Sequence, residues 1–171
     1  LYGKNGWFYE FKLWIARKLV FSKWKEALGG KLDLIVSGGA AMQPRLGRIF
    51  CSAGFRVLEG YGLTETSTVI SVNNLEPRGV KFGTVGTVLA NVSVKIAEDG
   101  EILSKGPSLM KEYYKDPELT AEAIDKDGWF HTGDMGVIDG DGFLSITGRK
   151  KELFKTSFGK YVVPQLIENK F

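Results

Sequence analysis

Near Gly83 the hydrophobic pattern of the chain changes period, and this change narrows the folds open to it more than any other feature. Before it, stretches with helical spacing alternate with short apolar runs bounded by glycine. Residues 5–28 read as one amphipathic helix: Trp7, Phe8, Phe11, Trp14, Ile15 and Leu19 approximate helical spacing, with Lys12, Arg17, Lys18 and Lys23 between them. Gly29-Gly30 stops that helix. Leu32 to Val36 reads as a buried parallel strand, and Ser37-Gly38-Gly39-Ala40 as a tight turn. Pro44 opens a second helix, as suits a first helical position. Its expected core face is Leu46, Ile49, Phe50 and Ala53, and Gly54 ends it. Arg56 to Glu59 is the next strand, followed by a turn at Gly60-Tyr61-Gly62. Helix, strand, helix, strand is the order of an α/β sheet.

Beyond Gly83 the pattern becomes one of short strands joined by Asp-Gly turns. Val92 to Ile96 alternates, Glu98-Asp99-Gly100 turns, and Glu101 to Leu103 returns. Met135 to Ile138 and Phe143 to Ile146 form a second pair around Asp139-Gly140-Asp141-Gly142. Pro117 to Ile124 is a short helix between the pairs. Such a segment predicts a small antiparallel sheet or barrel. The expected fold is therefore α/β followed by antiparallel β, with residues 1–82 as the α/β part and 83–148 as the β part. Residues 149–171 form a third unit, in which Arg149-Lys150-Lys151-Glu152 reads as a hinge, Tyr161 to Val163 as a strand and Pro164 to Lys170 as the start of a helix. There is no internal repeat and no low-complexity stretch.

Composition excludes several classes. Hydrophobic residues make up 43% of the 171, enough for a sizeable core. Twenty-three Lys and Arg against 20 Asp and Glu give a net charge of +3, too mild for a nucleic-acid surface. No apolar run reaches the roughly 18 residues that cross a bilayer, and charges interrupt the aromatic N-terminal stretch, so it is no signal peptide. The single cysteine, Cys51, cannot form an internal disulfide, which points to a reducing compartment such as the cytoplasm. It falls off the apolar stripe of its helix and reads as structural. A chain beginning at Leu1 is expected to be cut from something larger.

Three segments carry residues able to do chemistry. Tyr61-Gly62-Leu63-Thr64-Glu65-Thr66 follows a strand, where α/β sheets bind ligands. Its glycines admit close backbone approach, Thr64 can donate to a phosphate oxygen, Glu65 is a hard ligand suited to Mg²⁺, and Tyr61 offers a flat face to a base. The plainer alternative is a turn with a Thr-Glu helix cap. In Trp129-Phe130-His131-Thr132-Gly133-Asp134, placed just before a strand, Asp134 could accept hydrogen bonds from a ribose diol or merely close a turn. His131 lacks a nearby nucleophile or second metal ligand in the sequence, so a hydrogen-bonded structural histidine is favoured over a general base. In Gly148-Arg149-Lys150-Lys151-Glu152, Arg149 could clamp a phosphate or ribose hydroxyl, or the run could be a solvated charge cluster. No Walker loop, paired-cysteine pattern or Gly-x-Ser-x-Gly elbow is present.

Taken in order, Ser37-Gly38-Gly39-Ala40, Tyr61 to Thr66, Gly83-Thr84-Val85-Gly86, Trp129 to Asp134 and Gly148 to Glu152 resemble the adenylate-forming superfamily. That group holds acyl-CoA synthetases, firefly luciferase and peptide-synthetase adenylation domains. Lys151 to Thr156 and Gly159 to Pro164 are most similar to its long-chain fatty-acyl branch. The resemblance implies part of an N-terminal adenylation domain with the start of its C-terminal lobe. It implies ATP and AMP, Mg²⁺ and coenzyme A as cofactors and co-substrates, and a fatty acid as partner. Gly38, Gly39 and Ala40 match the loop lining the adenine pocket, and Tyr61 the aromatic stacked on adenine. Thr64 matches the α-phosphate contact, Glu65 the magnesium ligand, Asp134 the ribose carboxylate and Arg149 the ribose or phosphate contact. Gly62 is counted with the nucleotide-binding residues and, with Leu63, borders the acyl pocket. Lys151 matches the hinge, and Gly159-Lys160-Tyr161 the loop used in the CoA step.

In the family a fatty carboxylate attacks the α-phosphorus of ATP, pyrophosphate leaves, and the CoA thiolate then takes the acyl group and releases AMP. The family's Ser/Thr/Gly-rich phosphate loop has no counterpart before Ser37, and its catalytic lysine would lie past Phe171. The expectation is an inactive truncated piece that self-associates. The competing readings are an adenylating enzyme for another carboxylate, and a non-enzymatic module whose basic aromatic helix docks peripherally on a membrane or partner.

Overall fold

The computed structural model describes residues 6–152, 154–155 and 161–162. The N-terminal helical run is built from α1 (Trp7–Ala16), one stretch of wider π-helical turns (Arg17–Phe21) and α2 (Ser22–Ala27). It ends where the sequence predicts: Gly29 and Gly30 both take positive φ, and their N–H groups bond back to the carbonyls of Glu26 and Lys25. The helix is less buried than its pattern suggests. Trp7 is 80% exposed and Trp14 57%, because no described element covers that side. Among the described residues its contacts with the rest of the chain fall in the second half, with Phe21 against the core and the Trp24 ring 6.4 Å from Phe50.

The first sheet has the order β1-β2-β3-β4. β1 (Leu34–Ser37) runs parallel to β2 (Arg56–Leu63), joined through α3 (Pro44–Ser52). β1 is not buried on both faces as expected. Ile35 packs into the core, but Val36 on the opposite face is 62% exposed. The α3 face also differs: Leu46 is exposed, and Gly47 is the residue of α3 that is buried, against the Phe82 ring. Cys51 belongs to the apolar face after all. With Phe21, Ile35, Met42 and Phe50 it packs on Ala53, Phe55 and Val57, and burial raises its thiol pKa.

A larger correction concerns Gly60-Tyr61-Gly62. These residues do not turn; they continue β2, which pairs antiparallel with β3 (Thr68–Val72), a strand the hydrophobic pattern did not reveal. The reversal falls later, at a 3-10 turn over Thr64–Thr66. Glycine is needed at 62 for proximity: a Cβ there would sit 1.5 Å from the Thr68 carbonyl oxygen. The buried Thr66 hydroxyl fixes the turn, accepting from the Leu63 N–H at 3.0 Å and lying 2.8 Å from the Thr68 carbonyl.

β4 (Thr87–Val88) pairs with β3, so the first sheet extends past Gly83. The segment leading into it also bonds the second sheet, Val85 N–H to the Leu144 carbonyl and Leu144 N–H to the Gly86 carbonyl, both at 2.8 Å. That second sheet is antiparallel, as expected, in the order β5 (Ser93–Ile96), β6 (Glu101–Lys105), β7 (Phe130–Ile138), β8 (Leu144–Arg149). Its inner face buries Ile102 and Leu144 completely and Phe130 to 2% exposure. Each such side chain contributes roughly 2 kcal/mol of hydrophobic stabilisation. The Asp-Gly turns close as predicted: Asp139 accepts from the N–H groups of Asp141 and Phe143, and Lys81 pairs with Asp139 and Asp141.

α4 (Pro117–Ala123) is capped by Asp116, whose side chain accepts from the Leu119 N–H at 2.9 Å. Lys150–Glu152 forms a 3-10 turn, and β9 (Phe154–Lys155) pairs with β10 (Tyr161–Val162). Gly159, Lys160 and the helix expected over 164–170 lie outside the described residues. Among the described residues no helix is long and apolar enough to cross a membrane.

Candidate functional site

A cleft of about 150 Å³ opens where the first sheet meets the end of the second. About 10–15 Å³ of such space holds one water, so the cleft has room for a small organic group and not merely a single solvent molecule. One wall is the turn after β1, with Gly39 and Ala40. The floor is the glycine-rich second half of β2, with Tyr61 and Gly62. The far wall is Asp134 on β7 and Arg149 at the end of β8. Gly38 precedes the lining residues of that turn, and a Cβ added there would meet the Gly60 carbonyl oxygen at 3.6 Å.

Asp134 organises the far wall. It lies within β7 rather than before a strand, because the strand starts at Phe130, earlier than the sequence pattern indicates. Its residue is 4% exposed, and β7–β8 pairing sets it opposite Arg149. One carboxylate oxygen accepts from the Tyr61 hydroxyl at 2.7 Å and the other faces the Arg149 Nε at 3.1 Å. A carboxylate offers about four acceptor positions, so two partners leave capacity for a ligand's hydroxyls. Burial first, then the adjacent Asp134 charge, pushes the Tyr61 phenol well above its ordinary pKa, so it remains a donor.

Sequence reasoning missed Glu59. It lies in the cleft wall at 6% exposure, and its Oε1 has no hydrogen-bond partner. Burial raises its carboxyl pKa, partly offset by the backbone N–H groups of Met42 and Gly83. An unpaired buried acceptor is costly and marks a position where a ligand donor would be welcome. The sequence signal, a lone Glu inside an apolar strand, is weak by itself.

The remaining expected residues do not line the cleft. Thr64 is exposed on the 3-10 turn beyond Leu63. Glu65 accepts from the Tyr113 hydroxyl at 3.0 Å, and its carbonyl from the Met110 N–H at 2.7 Å, so its loop is held by the 110–113 segment. Lys151 is exposed on the turn after Arg149. His131 is hydrogen-bonded as expected, with Nδ1 3.2 Å from Glu101, though its side chain is 38% exposed. Among the described residues no group of three or more His, Cys, Asp or Glu could hold a metal.

Residues 11–114 match the family model described as AMP-binding enzyme. The chain belongs to this family. It is 45% identical over 152 residues to a long-chain-fatty-acid–CoA ligase of Mycobacterium bovis, covering 89% of this chain and 25% of that protein. Against long-chain-fatty-acid–CoA ligase 5 of Mus musculus the identity is 41% over 178 residues, covering 97% and 26%. Two solved structures share the fold: ATP-bound MatB from Rhodopseudomonas palustris (TM-score 0.72, 37% identity, 79% of this chain and 29% of that one) and O-succinylbenzoate coenzyme A synthetase from Bacillus subtilis in complex with AMP (TM-score 0.71, 31%, 79% and 30%). The chain thus spans about a quarter of the length of the curated relatives it matches.

Proposed function

We propose that this chain forms the adenine-and-ribose side of the active site of an AMP-forming ligase that joins a fatty acid to coenzyme A. The observation that carries the reading is the Tyr61–Asp134–Arg149 arrangement in the wall of a glycine-lined cleft. The residues present fit a nucleotide. Gly38, Gly39 and Ala40 leave the wall thin enough for a flat base, and Tyr61 presents a ring face. Glu59 supplies an unpaired acceptor suited to an exocyclic amine, and Asp134 with Arg149 takes the ribose hydroxyls. Thr64 donates toward a phosphate oxygen. Glu65 contributes one hard oxygen to Mg²⁺, an ion that takes few protein carboxylates and completes its shell with phosphate and water. ATP, when bound, supplies the phosphorus at which the fatty carboxylate is activated before transfer to the CoA thiol. Lys151 acts as a pivot, at the point where the chain leaves the second sheet. The 171 residues alone are inactive in both steps.

The fatty-acid assignment is supported by the relatives at 41–45% identity, which are named long-chain-fatty-acid–CoA ligases. A different carboxylate is the second reading, favoured by the fold shared with an O-succinylbenzoate synthetase. The test uses a ligase of the relatives' length that contains this segment. Fatty-acid-dependent ATP–pyrophosphate exchange is expected, with Glu65→Gln lowering it on the order of a hundredfold, as fits loss of an electrostatic group. Lys151→Ala should spare exchange and slow thioester formation from pre-made acyl-adenylate, because hinge changes act on domain movement. Exchange that ignores fatty acids, or that survives Glu65→Gln, would overturn the assignment.

A further inference from the structure

Glu101 lies outside the cleft, yet its carboxylate reaches the two residues that flank the Asp134–Arg149 pair. It opens β6, an inner strand of the second sheet, and is 4% exposed. Oε1 accepts from the Gly133 N–H at 2.9 Å, one residue before Asp134. Oε2 accepts from Lys150 Nζ at 2.8 Å, one residue after Arg149. The same oxygen lies 3.2 Å from His131 Nδ1. Asp134 and Arg149 themselves face each other across β7 and β8. One buried carboxylate therefore ties together the strand segments that carry Asp134 and Arg149.

The other charges around the cluster do not duplicate this role. Asp99 also pairs with Lys150, at 2.7 Å, and accepts from the Glu101 backbone N–H at 3.1 Å, but it is Glu101 that takes the Gly133 N–H. Asp125 lies 3.9 Å from the outer nitrogen of His131. Gly133 has φ 72°, a conformation that frees its N–H to turn inward and that a side chain rarely adopts. Burial acts to raise the Glu101 pKa, but Lys150, His131 and the Gly133 N–H outweigh it and hold it below the ordinary value. The group is thus an anion engaged on both sides, not a spectator.

We infer that Glu101 is a positioning residue for nucleotide recognition: through Gly133 and Lys150 it sets the spacing of Asp134 and Arg149, and so the selectivity for a ribose bearing free 2′ and 3′ hydroxyls. This rests on the nucleotide reading of the cleft. Charge-assisted hydrogen bonds of this geometry hold side chains more firmly than neutral ones. Pre-organisation of a hydrogen-bonding pair matters most for the ligand that uses both members.

The test compares binding of AMP and 2′,3′-dideoxy-AMP to the whole chain by NMR titration. The unaltered chain should favour AMP by about tenfold or more, the scale of one well-made polar contact. Glu101→Gln, which keeps the shape and loses the charge, should bring that preference close to unity while leaving dideoxy-AMP binding within about twofold. A side chain with only a structural role would weaken both ligands alike. Should Glu101→Gln fail to fold, Lys150→Met answers the same question from the exposed end: loss of preference is expected there, rescue by Lys150→Arg, and no loss in Asp99→Asn. An unchanged preference in Glu101→Gln or in Lys150→Met, or equal weakening of both nucleotides, overturns the inference. Absence of any preference in the unaltered chain would instead bring down the ribose reading of Asp134, and this inference with it.

Discussion

Glu59 and Glu101 are both buried carboxyls, and their surroundings push them in opposite directions. Burial dominates at Glu59 and raises its pKa above the usual 4.5. Stability tied to it is full below that pH and is lost as pH rises through the folded value. At Glu101 burial is outweighed by Lys150, His131 and the Gly133 N–H, so its pKa falls below 4.5. Stability tied to it is present above 4.5 and is lost as pH falls through the folded value. Glu59→Gln should therefore raise the melting temperature at neutral pH, whereas Glu101→Gln should lower it there and have little effect in acid. Thermal melts at several pH values check both signs, and a neutral-pH loss in Glu59→Gln would contradict the first. Neither role was legible in the sequence, because the partners lie far along the chain: Met42 and Gly83 for Glu59, Gly133 and Lys150 for Glu101. Asp134, by contrast, was singled out by the motif around it, while its placement inside a strand was not legible.

Elements with a strong local signal came through the sequence intact. The Gly29-Gly30 stop, the Pro44 start and the Asp139 turn are set by residues within a few positions of each other. Gly60-Tyr61-Gly62 was read as a turn because glycines usually punctuate. Here they admit the β3 backbone instead, a requirement that exists only once β3 is in place. Gly86 follows the same logic. It has φ 84°, and an added Cβ would fall 1.9 Å from the Val72 carbonyl carbon. Gly86→Ala should cost at least about 3 kcal/mol, combining a left-handed conformation with a backbone clash. Gly140→Ala, where nothing lies within 4 Å, should change stability by no more than about 0.5 kcal/mol. Urea unfolding of the two variants measures the contrast; equal losses would show that the close approach of β3 and Gly86 is not what stabilises this region.

At the scale of the whole molecule, the order of α/β followed by antiparallel β was readable because the hydrophobic period changes with it. The exposure of the N-terminal helix was not readable, since a pattern shows which face is apolar and not what covers it. Trp7, Phe8, Phe11, Trp14 and Val36 are all more than half exposed, in a chain about a quarter the length of its relatives. Apolar surface of this kind drives association. The chain is expected to form dimers or larger species, with Trp14→Glu shifting the distribution toward monomer. Light scattering across a concentration series checks this, and a clean monomer at high concentration would count against it.

In the proposed function, the cleft between the two sheets takes an adenine nucleotide through Tyr61, Asp134 and Arg149. An AMP titration of the isotope-labelled chain reads this residue by residue. Weak binding is expected, with a Kd on the order of 1 mM as befits part of a pocket. Shifts should be confined to Gly38, Gly39, Ala40, Glu59, Tyr61, Thr64, Asp134 and Arg149, and they should vanish in Asp134→Asn. Shifts scattered over the surface, or a cleft response unchanged in Asp134→Asn, would contradict it.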